Sequence, residues 1–284
     1  VQADPSGKVL LDHIYLQPDP RAYFRTLRDF EYRIPQLAKP YFTDLIEEYR
    51  RTQGVTDVTV LDIGCSYGIN SALVAHGATM DELYERYGAE ELSGHPRSAL
   101  LARDRDWLES RSTPYERDIR FVGLDSSGPA LTYAVEAGLL DDALHADFEN
   151  DEPTERQREQ LTGADLVIST GCLGYVTEKT ITRVLAACDG RRPWMAHFVL
   201  RMFPFDTISG HLAELGYDTV RADRVFPQRR FASAGEQTRV LETLTEQGID
   251  TQGLEADGWF YAQLFVSRPR DRPRSQPPSA HPTP

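Results

Sequence analysis

The sequence predicts a doubly wound α/β fold, a mostly parallel sheet with helices on both faces. Two observations lead there. Short apolar runs of the buried-strand kind alternate with stretches of helical apolar spacing along most of the chain. The first such run also enters a glycine-bearing turn that opens a helix, the connection that parallel strands use at a ligand-binding edge. A length of 284 residues exceeds one average domain but suits a single α/β core with additions.

Residues 1 to about 10 read as a loose lead-in, and residues 1–53 together as an N-terminal helical cap. Its segments Asp12–Tyr15, Pro20–Arg25 and Tyr32–Gln36 are dense in aromatic and polar side chains, and Pro18, Pro20, Pro35 and Pro40 fix breaks between short helices. Pro40, Tyr41, Phe42, Leu45, Ile46 and Tyr49 then make one apolar helical face that ends near Gly54. The main domain is expected over 54–267. Its strands are Val58–Cys65, Ile119–Asp125, Ala143–Phe148, Ala164–Thr170, Pro193–Phe203 and a late one at Gly258–Ser267. Ile69, Leu73 and Val74 return to helical spacing after the first strand, and Ser233 with Glu236 gives a capping-box spacing before the last. Residues 77–118 form an insert after the first core helix, far longer than a compact connection needs. Thr79 and Glu82 repeat the capping-box spacing there, and Met80, Leu83, Tyr84 and Tyr87 make an apolar stripe. The insert is either structural decoration or a lid or dimer surface. Residues 268–284, rich in Pro, Arg and Ser, read as a disordered tail.

Hydrophobic residues are 40% of the chain, enough for a substantial core. The longest apolar run, Trp194 to Leu200, is far too short to span a membrane, and no secretory signal is expected from Val1 onward. Cys65, Cys172 and Cys188 are an odd set without metal-type spacing, so they read as free thiols of a cytoplasmic protein, with no metal site. A formal charge of −13 repels phosphate backbones and anionic lipids, which argues against nucleic acid or membrane as partner. A small-molecule substrate and a monomer or homodimer are expected.

The informative stretch is Val60-Leu61-Asp62-Ile63-Gly64-Cys65-Ser66-Tyr67-Gly68. Glycine allows turns and close approaches that a Cβ blocks. The spacing is Gly-x-x-x-Gly with Ser66 at the middle position and no third glycine, so the pyrophosphate cradle of dinucleotide enzymes is poorly supported. The stretch instead resembles motif I of the class I, Rossmann-like S-adenosylmethionine (SAM)-dependent methyltransferases, whose usual form is hydrophobic-hydrophobic-(Asp/Glu)-hydrophobic-Gly-x-Gly-x-Gly. Ser66 is the departure. The run at 65–70 is similar to that of a bacterial, small-molecule-type subgroup. The resemblance covers about residues 55–267 and implies a seven-stranded sheet with SAM as cofactor.

By that resemblance Gly64, Cys65, Ser66, Tyr67 and Gly68 line the methionine moiety, with Asn70 beside them. Asp62 either organises the turn or meets the ammonium group. Asp125, followed by Ser126 at the end of the second strand, is the expected ribose ligand, because a carboxylate can accept from two vicinal hydroxyls. Asp147 and Phe148 resemble the adenine segment, and Thr170 and Gly171 lie where the fourth strand ends. Asp at one strand end is an ordinary turn residue; three in order on successive strands are a stronger signal.

For catalysis the candidates are Tyr175, His197 and His13. Tyr175 could turn its ring to a sulfonium, a contact worth about 0.5–2 kcal/mol, or anchor the next helix. His197 lies in an apolar run, where a core role is the plainer account, and His13 is a second proton acceptor. The cap supplies Tyr15, Tyr23, Tyr32 and Gln36 as a pool for substrate contacts; Arg201 could reach an acidic substrate group or form a surface ion pair. The expected function is in-line methyl transfer to oxygen, nitrogen or carbon of a small metabolite. Alternatives are a SAM cyclase of the azetidine-2-carboxylate synthase kind, which releases methylthioadenosine, and a non-catalytic SAM-binding regulator. A nucleotide-sugar or NAD enzyme comes last.

Overall fold

The computed structural model describes residues 12–89, 94–111 and 118–270. The lead-in expected at 1–10 and most of the expected tail lie outside them. Seven strands form one sheet: β1 (Val58–Ile63), β2 (Ile119–Asp125), β3 (Asp142–His145), β4 (Leu166–Thr170), β5 (Trp194–Leu200), β6 (Tyr217–Arg230) and β7 (Trp259–Pro269). Their order is β3-β2-β1-β4-β5-β7-β6. The pairs β1–β2, β1–β4, β2–β3 and β4–β5 are parallel, and β7 enters antiparallel between β5 and β6. The fold is therefore the doubly wound, mostly parallel α/β architecture that the patterning predicts.

Several strand limits differ from expectation; β5 ends at Leu200, short of Phe203, and β4 starts at Leu166, two residues after Ala164. β1 stops at Ile63, because Gly64 already turns at φ 70°. β3 is only Asp142–His145, and the following residues form a loop over the sheet edge. β7 runs on to Pro269, two residues past the expected strand end at Ser267. The strand that the sequence does not reveal is β6. Most of its residues are exposed or half-exposed, so it carries Asp218, Arg221, Asp223 and Arg224 instead of an apolar run.

Eleven α-helices are present among the described residues: α1 (Asp12–Tyr15), α2 (Arg21–Asp29), α3 (Ile34–Gln53), α4 (Ile69–Val74), α5 (Met80–Gly88), α6 (Arg97–Arg111), α7 (Gly128–Ala137), α8 (Glu155–Leu161), α9 (Glu178–Ala187), α10 (Asp206–Glu214) and α11 (Ala234–Glu246). None is long and apolar enough to cross a membrane. One sheet face packs on α3, α4 and α7 through Phe42, Ile46, Leu73, Ala134, Phe121 and Phe198, all buried. The other packs on α8, α9 and α10 through Leu161, Ile181, Leu212 and Val199. Gly54, at φ 69°, closes α3 with its amide on the Arg50 carbonyl, as a left-handed C-terminal residue should.

The cap and the insert form one unit. Thr79 and Glu82 make the expected capping box at the start of α5. Ser233 caps α11 through the Glu236 amide, but the Glu236 side chain bonds Ala232 N and Arg229 instead of completing a box. Tyr87 of α5 stacks on Phe24 of α2 at 4.8 Å, and Tyr84 donates to the Tyr32 carbonyl. Buried Asp104 of α6 accepts from Arg86, Tyr87 and Tyr133. The insert thus braces the cap from behind.

Candidate functional site

The carboxyl ends of β1, β2, β3 and β4 come out at one edge of the sheet, and a cavity of about 620 Å³ opens there beneath the cap. The size suits a cofactor and a small partner. Its floor is Ile63, Gly64, Ser66, Asp125–Ser127, Ala146–Glu149 and Thr170–Cys172; Tyr15, Leu16, Tyr23, Leu27 and Tyr32 form its roof. Gln228 and Arg229 of β6 close one end.

The turn after β1 explains its own composition. A Cβ on Gly64 would come 2.6 Å from the Cβ of Cys172, so the tips of β1 and β4 can approach only with glycine there. Ser66 adopts φ 50°, a left-handed conformation that costs a non-glycine residue about 1 kcal/mol. Its amide donates to Asp125 Oδ2 at 2.8 Å, and the Ser127 amide donates to Oδ1 at 2.8 Å. These charge-assisted bonds offset the strain and fix the carboxylate at the cavity wall. Burial raises the Asp125 carboxyl above its ordinary value, while the amides of Ser127 and Ser66 oppose the shift. Ser66 Oγ is buried and has no hydrogen-bond partner.

A string of polar groups crosses beneath the cavity. Asn70 donates to Asp62 Oδ1 and Oδ2 at 3.0 and 3.1 Å and to Thr170 Oγ1 at 3.2 Å. The Tyr32 hydroxyl lies close to those of Thr170 and Tyr23. Burial pushes the Asp62 carboxyl up to about 8; Asn70 works against that, and the nearby Asp125 charge adds to it. Burial likewise holds the Tyr32 and Tyr23 hydroxyls well above the ordinary phenol value.

On the β3 side, Asp147 Oδ1 accepts from the Glu149 amide at 3.1 Å and Oδ2 from Asn150 at 2.6 Å. Glu149 accepts from Thr177 N, the Thr177 hydroxyl and the Thr180 hydroxyl at 2.7–2.8 Å, tying this loop to the start of α9. Burial acts against its charge, but these bonds prevail and hold the carboxyl below its ordinary value.

Of the residues proposed from sequence, Gly64, Ser66, Asp125, Ser126, Asp147, Phe148, Thr170, Gly171, Tyr175, Tyr15, Tyr23 and Tyr32 line one cavity. The others do not, each for a physical reason. Asp62 and Asn70 are buried under the turn and bonded to each other. Cys65 is buried against Gly123, where a Cβ would lie 2.5 Å from its sulfur. Gly68 caps α4 at φ 77°. Tyr67 points away from the cavity, its hydroxyl 2.9 Å from the Gln17 carbonyl and near those of Ile14 and Tyr15. Ser127 adds a 2.6 Å bond to the Tyr15 carbonyl, so the turn and the end of β2 clamp the cap.

The remaining candidates also move. His197 is fully buried; Nδ1 pairs with Ser169 Oγ at 2.8 Å, Nε2 has no partner, and burial lowers its pKa to about 3. It is a neutral core histidine. His13 is exposed on α1, outside the cavity. Gln36 accepts from the Met80 amide at 2.9 Å, joining α3 to the insert. Arg201 is held by Glu255 and the Asp250 carbonyl, both at 2.7 Å, and is not among the cavity's lining residues. Tyr175 keeps its place at the rim, 44% exposed, edge-on to Phe203 at 5.8 Å.

Sequence reasoning missed Glu149, Cys172, Gln228 and Arg229. Gln228 and Arg229 lie on the strand that patterning did not reveal. Buried Arg229 is paired with buried Glu236 through bonds of 2.9 and 3.0 Å. Gln228 is 3% exposed, and its Oε1 has no partner. Its carbonyl accepts from Arg33 N at 2.8 Å, and Arg230 N donates to the Phe30 carbonyl at 2.7 Å, so cap and β6 are stitched together beside the cavity.

No family model matches the sequence, and no curated protein matches it. Among solved structures the chain is similar to the plantazolicin methyltransferase BpumL in complex with SAH, at 14% identity over 83% of this chain and 84% of that one, with a TM-score of 0.40. It is similar also to the magnesium protoporphyrin IX methyltransferase ChlM from Synechocystis PCC 6803 with bound SAM, at 11% identity, 80% and 78% coverage and a TM-score of 0.37. A third is a TehB-like SAM-dependent methyltransferase from Corynebacterium glutamicum, at 13% identity, 78% and 86% coverage and a TM-score of 0.37. Likeness at this level carries no weight for ligand or reaction.

Proposed function

We propose that this chain binds SAM in the cavity and transfers its methyl group to a small molecule. One observation carries the reading: the Gly64–Gly68 turn and the Asp125 carboxylate are fixed to each other at the cavity wall by the Ser66 amide. Asp125 accepts one backbone amide on each oxygen. The lone pairs left over are the acceptors that two ribose hydroxyls need.

Other residues agree. Ser66 Oγ is an orphaned polar atom that a bound ligand's polar end would satisfy. Phe148 offers a buried face for a flat base, with Asp147 beside it at the rim. The carboxylates Asp125, Asp147 and Glu149 on this side disfavour a pyrophosphate. The sulfonium of bound SAM would supply an activated methyl. The chain's own part is to orient that methyl, exclude water beneath Tyr15 and Leu16, and hold the acceptor against Tyr23, Tyr32 and Tyr175.

Calorimetry with S-adenosylhomocysteine (SAH) tests the cofactor, with saturable binding expected and no heat from NAD; the reverse pattern would sink the reading. Incubation with SAM alone tests the reaction. Accumulation of methylthioadenosine without an acceptor would replace methyl transfer by cyclisation.

A further inference from the structure

We infer that the β6 end of the cavity is the acceptor subsite, and that it takes an uncharged nitrogen nucleophile on an apolar, ring-bearing body. The inference rests on the methyl-transfer reading and names its substrate class.

The cavity is chemically lopsided. Of its carboxylates, Asp125 ends β2, Asp147 follows β3, and that of Glu149 is already engaged by Thr177 and Thr180 at the start of α9. Opposite them, Tyr23, Leu27, Tyr32, Gln228 and Arg229 make the wall, and neither carboxylate nor imidazole is among these lining residues. Arg229, the cation there, is already neutralised by Glu236. An anionic acceptor entering this end would lose its water without gaining a cation, which disfavours it. A neutral hydroxyl would need a base, and the tyrosine hydroxyls are held well above neutrality by burial. A neutral nitrogen requires neither. Its lone pair forms the new N–C bond, the methyl–sulfur bond breaks, and that electron pair stays on sulfur. The positive charge moves from sulfur to nitrogen, beside ring faces that attract cations. Any N–H proton leaves to water afterwards.

Gln228 is the group that reads the nucleophile. Its amide packs on Gly171 so closely that a Cβ there would lie 2.2 Å from Nε2. Thr170, the residue before Gly171, lies close to the Tyr32 hydroxyl. An amide buried to 3% exposure with an orphaned Oε1 is a costly arrangement in a cavity wall unless a ligand donates to it. The N–H of an amine is such a donor, and the N–H⁺ that develops on transfer is a stronger one.

The test uses the full chain saturated with SAH and three matched probes: 5-aminoindane, 5-hydroxyindane and indane-5-carboxylate. Calorimetry is expected to show the amine binding about tenfold or more tighter than the carboxylate and the phenol. Gln228→Leu should weaken the amine about tenfold while SAH affinity and melting temperature stay close to wild type. Gln228→Glu, which keeps the shape and an acceptor oxygen, should retain the amine. With SAM in place of SAH, N-methyl-5-aminoindane should form. Tighter binding of the carboxylate or phenol, no binding of the amine, or an amine affinity indifferent to Gln228→Leu would overturn the inference. Failure of SAH itself to bind would instead remove the methyl-transfer reading on which it rests.

Discussion

Asp62 and Asp125 illustrate how two carboxylates of one motif region diverge in role. Asp125 ends β2 at the cavity wall, held by the amides of Ser66 and Ser127, so replacing it by alanine should weaken SAH binding about 10–100-fold by calorimetry. Asp62 sits under the turn with Asn70 as its hydrogen-bond donor, and burial raises its pKa from the ordinary carboxylate value to about 8. The folded chain therefore keeps a proton that the unfolded chain releases near pH 4. Its stabilising contribution is whole below that pH and is lost as pH rises toward about 8. Asp62→Asn removes the titration but keeps an acceptor for Asn70. The mutant should gain on wild type by up to about 4 kcal/mol between pH 5 and 8, read from urea unfolding at each pH; parallel curves would refute the assignment. The strand-end aspartates were legible in sequence because strand ends at a parallel edge meet a ligand. That Asp62, Asn70, Cys65 and Tyr67 lie behind the turn was not legible, since spacing along the chain does not tell which side of a turn a side chain takes.

Among the elements, the cap depends on the turn as much as the cofactor site does. Tyr67 fills the core and ends on carbonyls of the 14–17 segment, where the closest, Gln17, is at 2.9 Å. Ser127 Oγ reaches the Tyr15 carbonyl from the other side. Tyr15 and Leu16, which roof the cavity, are thus latched from both flanks. Tyr67→Phe removes one hydroxyl and little volume, so its cost should be about 1 kcal/mol, borne locally. Hydrogen exchange should accelerate at amides of residues 14–17 with the global melting temperature nearly unchanged, and SAH should dissociate several-fold faster. Unaltered exchange in that segment would show that the latch does not hold it. Helices of the cap and insert were legible through capping pairs, apolar stripes and the prolines at 20 and 35, but Pro40 makes no break: it lies inside α3, which runs unbroken from Ile34 to Gln53. β6 was not, because a strand paired only through β7 shows most of its side chains to solvent and carries an unpatterned, charged sequence. With β6 went Gln228 and Arg229, the part of the site that no motif announces.

Taken as one molecule, the chain gathers its site through topology: four parallel strands deliver their carboxyl ends to one edge, and the cap lies across them. β7 runs antiparallel between β5 and β6, letting β6 leave the sheet at that same edge with Gln228 in the cavity wall and Arg33 N bonded to its carbonyl. A ligand in the cavity touches β1, β2, β4, the β3 loop and the cap together, residues far apart in an unfolded chain. Such a ligand binds the folded state alone, and at about 100 times its dissociation constant it adds about 2.7 kcal/mol. For a chain of this size each kcal/mol is worth about 2–4 °C, so SAH should raise the melting temperature by roughly 5–10 °C. NAD at the same concentration should leave it unmoved, because the turn lacks a phosphate cradle and the cavity floor is acidic. Asp125→Ala should shrink the SAH shift without a matching fall in the ligand-free melting temperature. An equal rise with NAD, or a shift indifferent to Asp125, would mean that the cavity is read through its shape and not through the carboxylate that the turn holds in place.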